Sequence, residues 1–216
     1  MSPTEITAEG ARAEHVVVAM AQQHDVAGLS FDNGASLLNV RTMDGAGPLL
    51  RGRFTDPLPL VWAADANVHI EYPLGARLAH TSRPGELHLS ARRPWSVDVH
   101  GGTDRFDADL SGLRLSSLTF HSGLAHAHLR LGGPRGRRMI RFSSVTDLVL
   151  TRPVNVPVRV EATKGVSRLG LDDRSVDAAN GFEGQTHDYN DADDRYLILL
   201  TGDVASLTIT TAPELG

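Results

Sequence analysis

The sequence predicts an all-β fold, a β-solenoid of about 21 residues per coil. Three observations predict it. First, one short pattern recurs in six places: apolar-x-apolar-polar, a Gly-bearing or small polar turn, then more alternating apolar positions. Second, the copies align on their turns, so like residues fall at like positions. Third, 21 Gly and few aromatic residues, among many Val, Leu, Ile and Thr, suit a chain of short strands and turns.

Taken in order, residues 1–14 are polar and read as a loose terminus. His15–Met20 is β-branched and short, which favours a strand. A helix over Ala8–Gln23 is the alternative, because Ala, Glu and Gln are good helix formers. Residues 1–28 therefore form an N-terminal segment with one strand or helix. Leu29–Val40 is the first copy. Residues 41–94 are punctuated by Pro48, Pro57, Pro59, Pro73 and Pro84, with strands expected at Leu50–Phe54, Leu60–Trp62, Val68–Tyr72 and Glu86–Leu89. In the last but one, Val68, Ile70 and Tyr72 share one face and His69 and Glu71 the other.

The regular zone starts at Trp95. Its first apolar column is Leu29, Val97, Leu118, Ile140, Val160 and Ile198. Two residues on come Phe31, Val99, Phe120, Phe142, Ala162 and Leu200. The polar position before the turn holds Asp32, His100, His121, Ser143, Thr163 and Thr201. Beyond the turn run Ala35, Thr103, Leu124, Val145, Val166 and Val204. Further on come Leu38, Phe106, Ala127, Leu148, Leu169 and Leu207, and then Val40, Ala108, Leu129, Leu150, Leu171 and Ile209. Period-two alternation on each side of the turn marks strands. A sandwich of hairpins would give the same alternation, but its turns would switch ends. Coil-on-coil stacking at about 4.8 Å accounts for the columns better. The domain runs over 29–210. Within it, 172–194 is polar and acidic and reads as a long loop, and 211–216 is a tail.

Composition excludes several functions. There is no Cys, so disulfides, thiolate metal sites and Cys nucleophiles are absent. The net charge of −5, with both signs interspersed, argues against nucleic acid as a partner. No apolar run is long enough to span a bilayer, and the N-terminus has no basic, apolar leader pattern. A cytoplasmic protein is the expectation. No phosphate loop, dinucleotide fingerprint or Gly-x-Ser-x-Gly elbow is present.

Repeats of this form, with the join Arg152-Pro153-Val154-Asn155-Val156-Pro157-Val158, resemble the toastrack, or putative-adhesin, β-helix family, which is abundant in actinobacteria. The resemblance covers about residues 29–210. It implies a right-handed single-stranded β-helix and a role in sensing, scaffolding or protein contact. It implies no catalytic residues. The family usually carries a small hydroxyl residue before the turn, where this chain has His100 and His121.

These two histidines are the place to look for chemistry. Adjacent coils would set them side by side, with His126 and His128 on the outgoing strand and Asp104 and Asp147 on the flanking coils. Such a cluster could serve as acid and base or hold a divalent metal. The plainer account is a solvated ladder of polar turn residues. Tyr189 lies in His187–Asp194, whose carboxylates suit calcium but lack the EF-hand spacing; the plainer account is a solvated acidic loop. Arg130, Arg135, Arg137, Arg138 and Arg141 could meet an anion, or simply decorate a turn. Trp62 and Trp95 could stack on sugars or cap a coil end.

Two functions remain. One is a non-catalytic interaction, scaffold or sensing module that binds a protein or itself through the solenoid ends and needs no cofactor. The other is a lyase, hydrolase, isomerase or small-molecule or glycan binder, with the four histidines beneath the 172–194 loop. An enzyme is the less favoured reading.

Overall fold

The computed structural model describes residues 3–20, 25–74 and 84–212. Among them all sixteen elements are strands. They are β1 (Thr4–Glu5), β2 (His15–Val18), β3 (Ala27–Asp32), β4 (Ala35–Met43), β5 (Leu50–Phe54), β6 (Leu60–Ala64), β7 (Asn67–Glu71) and β8 (Pro84–Ser90). They continue with β9 (Trp95–Val99), β10 (Thr103–Leu110), β11 (Leu115–Leu131), β12 (Arg137–Arg152), β13 (Val158–Leu171), β14 (Arg174–Gln185), β15 (Arg195–Leu200) and β16 (Val204–Thr211). Residues 213–216 of the expected tail lie outside the described residues.

The strands form two long ladders that meet at the turn of each copy. One runs β6–β7–β3–β9, then the first halves of β11 and β12, then β15 and the first half of β13. The other runs β2–β5–β8–β4–β10, then the second halves of β11 and β12, then β16 and the second half of β13. β14 lies antiparallel along both halves of β13. Copies pair with one another in parallel, which excludes hairpins between them.

The columns are true neighbours. Leu29 pairs Val97, Val97 pairs Leu118, Leu118 pairs Ile140, Ile140 pairs Ile198, and Ile198 pairs Val160. The cause is burial. Every inward column is apolar save at Thr103, and a slip of one residue would turn each inward side chain to water. Both ladders contribute to one continuous core. Phe120 and Phe142 stack within it at 5.4 Å, and Phe106 meets Phe120 edge-on at 5.0 Å.

The structure differs from expectation in three places. The stretch read as a long loop, 172–194, is largely strand: β13 turns back at Asp172, whose φ is +53°, into β14. An edge strand with one side in solvent needs no strong alternation, so its polar composition concealed it. The last copy, β15–β16, does not follow β13 in space but lies between β12 and β13. The third difference concerns the N-terminal segment, where Thr4–Glu5 is a strand within the stretch that reads as a loose terminus; His15–Val18 is strand as well. The helix alternative fails over its described part; residues 21–24 lie outside the description. Residues 41–94 add one more parallel rung through β7 and β8, while β5 and β6 close that end in antiparallel fashion.

Candidate functional site

The polar position before the turn has a structural task. Each copy bends there, and the ladder register shifts between Phe120 and Gly123 and between Ala162 and Gly165. A bend leaves carbonyls in need of donors. The Ser143 hydroxyl donates to the Phe120 carbonyl at 3.0 Å, Thr201 to Phe142 at 3.3 Å, and Thr163 to Leu200 at 3.4 Å. Hydroxyl residues at this position thus tie each copy to the next. The bend also brings backbones close. A Cβ on Gly101 would overlap the backbone at Gly34, and one on Gly202 would overlap the Ser143 carbonyl.

His100 and His121 cannot make the hydroxyl contact. Their rings stack instead, centroids 4.4 Å apart and 8° from parallel, both exposed. Ser122, one residue on, donates to the His100 carbonyl at 2.8 Å. His121 Nε2 lies 3.1 Å from Asp98 Oδ1. Sequence reasoning missed Asp98. It belongs to the outward alternation two residues before His100, within diagonal reach of the neighbouring copy, which is the signal that could have found it.

The remaining expected residues are dispersed. His126 and His128 stand beyond the bend, exposed on β11. His126 lies 3.9 Å from Asp147, and His128 lies 3.4 Å from Asp107 rather than from Asp104. Asp104 lines a separate groove. Tyr189 is buried, with the Arg195 guanidinium 5.2 Å above its ring. Arg195 also donates to the carbonyls of Tyr189, Asn190 and Ala192, and Asp194 accepts from the Gly136 amide at 2.6 Å. The acidic segment is therefore a pinned turn. β14 does not lie beside the histidines, because β12, β15–β16 and β13 separate it from β11. Among the described residues no group of three His, Asp or Glu could hold a metal.

Trp62 stacks on His69 at 4.8 Å, and His69 is 3.8 Å from Asp32. Trp95 is buried and donates to the Ser90 carbonyl at 2.9 Å. Arg152, also buried, donates to the carbonyls of Pro153, Val154 and Val156 and pairs with Asp172. The Arg-Pro join is thus a clamp on the crossing from β12 to β13.

An open groove of about 1210 Å³ runs along the bends. It crosses β4, β10, β11, β12, β16, β13 and β14, from Ser36 to Asn180, and neither His100 nor His121 lines it.

The chain matches no family model and no curated protein. It is similar to a crystal structure of a putative cell adhesion protein from Clostridium sporogenes, with 17% sequence identity and a TM-score of 0.69. The match covers 92% of this chain and 98% of that one. At that identity the likeness is one of architecture: this chain has an adhesin-like all-β fold.

Proposed function

We propose that the chain is a non-catalytic interaction module, built as a right-handed β-solenoid of the toastrack kind. One observation carries this reading. The four histidines lie on an open surface, spread to both sides of a bend, and serve the framework by stacking and by pairing with carboxylates. The likeness to a cell adhesion protein supports a contact role. Its contacts, with a protein or with a second copy, form through the ends of the stack. β14 presents a strand edge there that is exposed along much of its length, and such edges add strands readily.

Light scattering over a range of concentrations tests the end contact. Self-association is expected, and Ser175→Lys with Val176→Lys in β14 should abolish it. A chain that stays monomeric, or that associates regardless of those changes, counts against the end contact. The Asp98–His121 pair favours a second reading, because a carboxylate orienting an imidazole is general-base geometry. Hydrolysis, elimination or isomerisation that disappears in His121→Ala would replace the first reading with the second.

A further inference from the structure

We infer that the groove along the bends binds a linear polysaccharide without acidic groups, laid across the strands from β4 to β14. The reasoning begins with length. Seven strands cross the groove, so six steps of about 4.8 Å make it about 29 Å long. Its outward residues, in spatial order, are Ser36, Asp104, Ala125, Thr146, Ala205 and Ser167, with Asn180 at the end. The first six advance by one step each, and Asn180 stands opposite Gly165. Four of those six positions, Ser36, Asp104, Thr146 and Ser167, carry short polar groups, on a grid of about 4.8 Å close to the advance of one sugar in an extended chain. A peptide advances by about 3.3 Å per residue and would drift out of step.

Chemistry narrows the occupant further. Two aspartates, Asp104 and Asp203, line the groove, and no lysine, arginine or histidine does. A polyanion would meet repulsion and no counter-charge. A peptide adding as a strand needs unpaired backbone groups, but five of the seven strands pair on both sides here. Side-chain hydroxyls, one amide and two carboxylates remain, and vicinal sugar hydroxyls donate well to carboxylates. Gly102, Gly123 and Gly165 leave the wall flat enough for a ring to approach the backbone. With no aromatic platform, each sugar contributes weakly, so affinity accumulates with chain length.

The inference rests on the non-catalytic reading, and one experiment separates their failures. The whole chain is run through native gels containing soluble β-1,4-, β-1,3- or α-1,4-glucan, chitosan or polygalacturonate. Parallel titrations use oligosaccharides of rising length, with products analysed by chromatography. Retardation by at least one non-acidic polymer is expected, with affinity rising with oligosaccharide length. Ala125→Trp and Ala205→Trp, which fill the groove from outward-facing strand positions, should each weaken binding at least about tenfold while the thermal midpoint holds. No retardation by any non-acidic polymer, retardation by polygalacturonate alone, or binding indifferent to both tryptophans overturns the inference. Shortened sugars among the products would leave the groove standing and overturn the non-catalytic reading instead.

Discussion

Thr103 sits in a buried column whose neighbours along the stack are Ala35 and Leu124, followed by Val145, Val204 and Val166. Its hydroxyl has no partner there. A buried, unsatisfied hydroxyl costs about 1–3 kcal/mol. Thr103→Val keeps the shape and is expected to stabilise the fold by about 1 kcal/mol, read as a higher urea midpoint at unchanged slope. Tyr196 behaves differently. Its hydroxyl donates to the Gly132 carbonyl at 3.0 Å, and burial pushes the phenol well above its ordinary value. The folded state then holds this proton more tightly than the unfolded state. Stability is full below the unfolded value near pH 10 and falls as pH rises beyond it. Tyr196→Phe should remove that alkaline decline and cost about 1 kcal/mol at neutral pH. Urea melts at pH 7 and pH 10.5 check both. Asp109 shows the opposite shift. Burial would raise it, but hydrogen bonds from the Ser111 hydroxyl and amide, with Arg130 and Arg41 nearby, carry it below the usual carboxylate value. Its contribution is present above about pH 4 and is lost as pH falls further.

The crossing from β12 to β13 depends on one side chain. Arg152→Met keeps the packing of the stem but removes the guanidinium that three carbonyls and Asp172 share. A loss of about 3 kcal/mol is expected, measured by denaturant unfolding, whereas Arg137→Met on the exposed face should change little. This join was visible in the sequence as a motif, and its role was not, because a motif does not show which carbonyls its arginine reaches. The columns were legible for a physical reason: inward positions are apolar in every copy save at Thr103, so alignment on the turns reproduces the pairing. The adjacency of His100 and His121 followed from that alignment. The carboxylates beside the histidines did not, because Asp98 reaches His121 across a diagonal. Asp104 was misplaced because it flanks the groove at the bend. Tyr189 was misplaced because nothing in His187–Asp194 announces that Arg195 pins it.

The whole stack has two different ends, each closed by antiparallel strands: β2, β5 and β6 at one, β14 at the other. Between them the copies are interchangeable at their inner columns, which is why the sequence did not reveal that β15–β16 lies between β12 and β13. Interchangeability has a testable outcome. A chain ending at residue 194 lacks the intervening strands, and Val160 can sit beside Ile140 as well as beside Ile198. The shortened chain is expected to fold with β13 directly on β12. Val149→Cys and Gly170→Cys report on it. In the full chain both face Thr208 from opposite sides, two steps or about 10 Å apart, too far for a disulfide. In the shortened chain they become neighbours and should oxidise to one. The chain has no native cysteine to confuse the result.

The position of β15–β16 also sets an order in time. During synthesis β12 and β13 leave the ribosome before the strands that belong between them. For that interval two parallel edges with matching columns face each other, and a wrong but well-buried pairing is within reach. The nascent chain must hold the gap open or break that pairing later, so strands made after β13 and β14 complete the interior of the stack rather than its end.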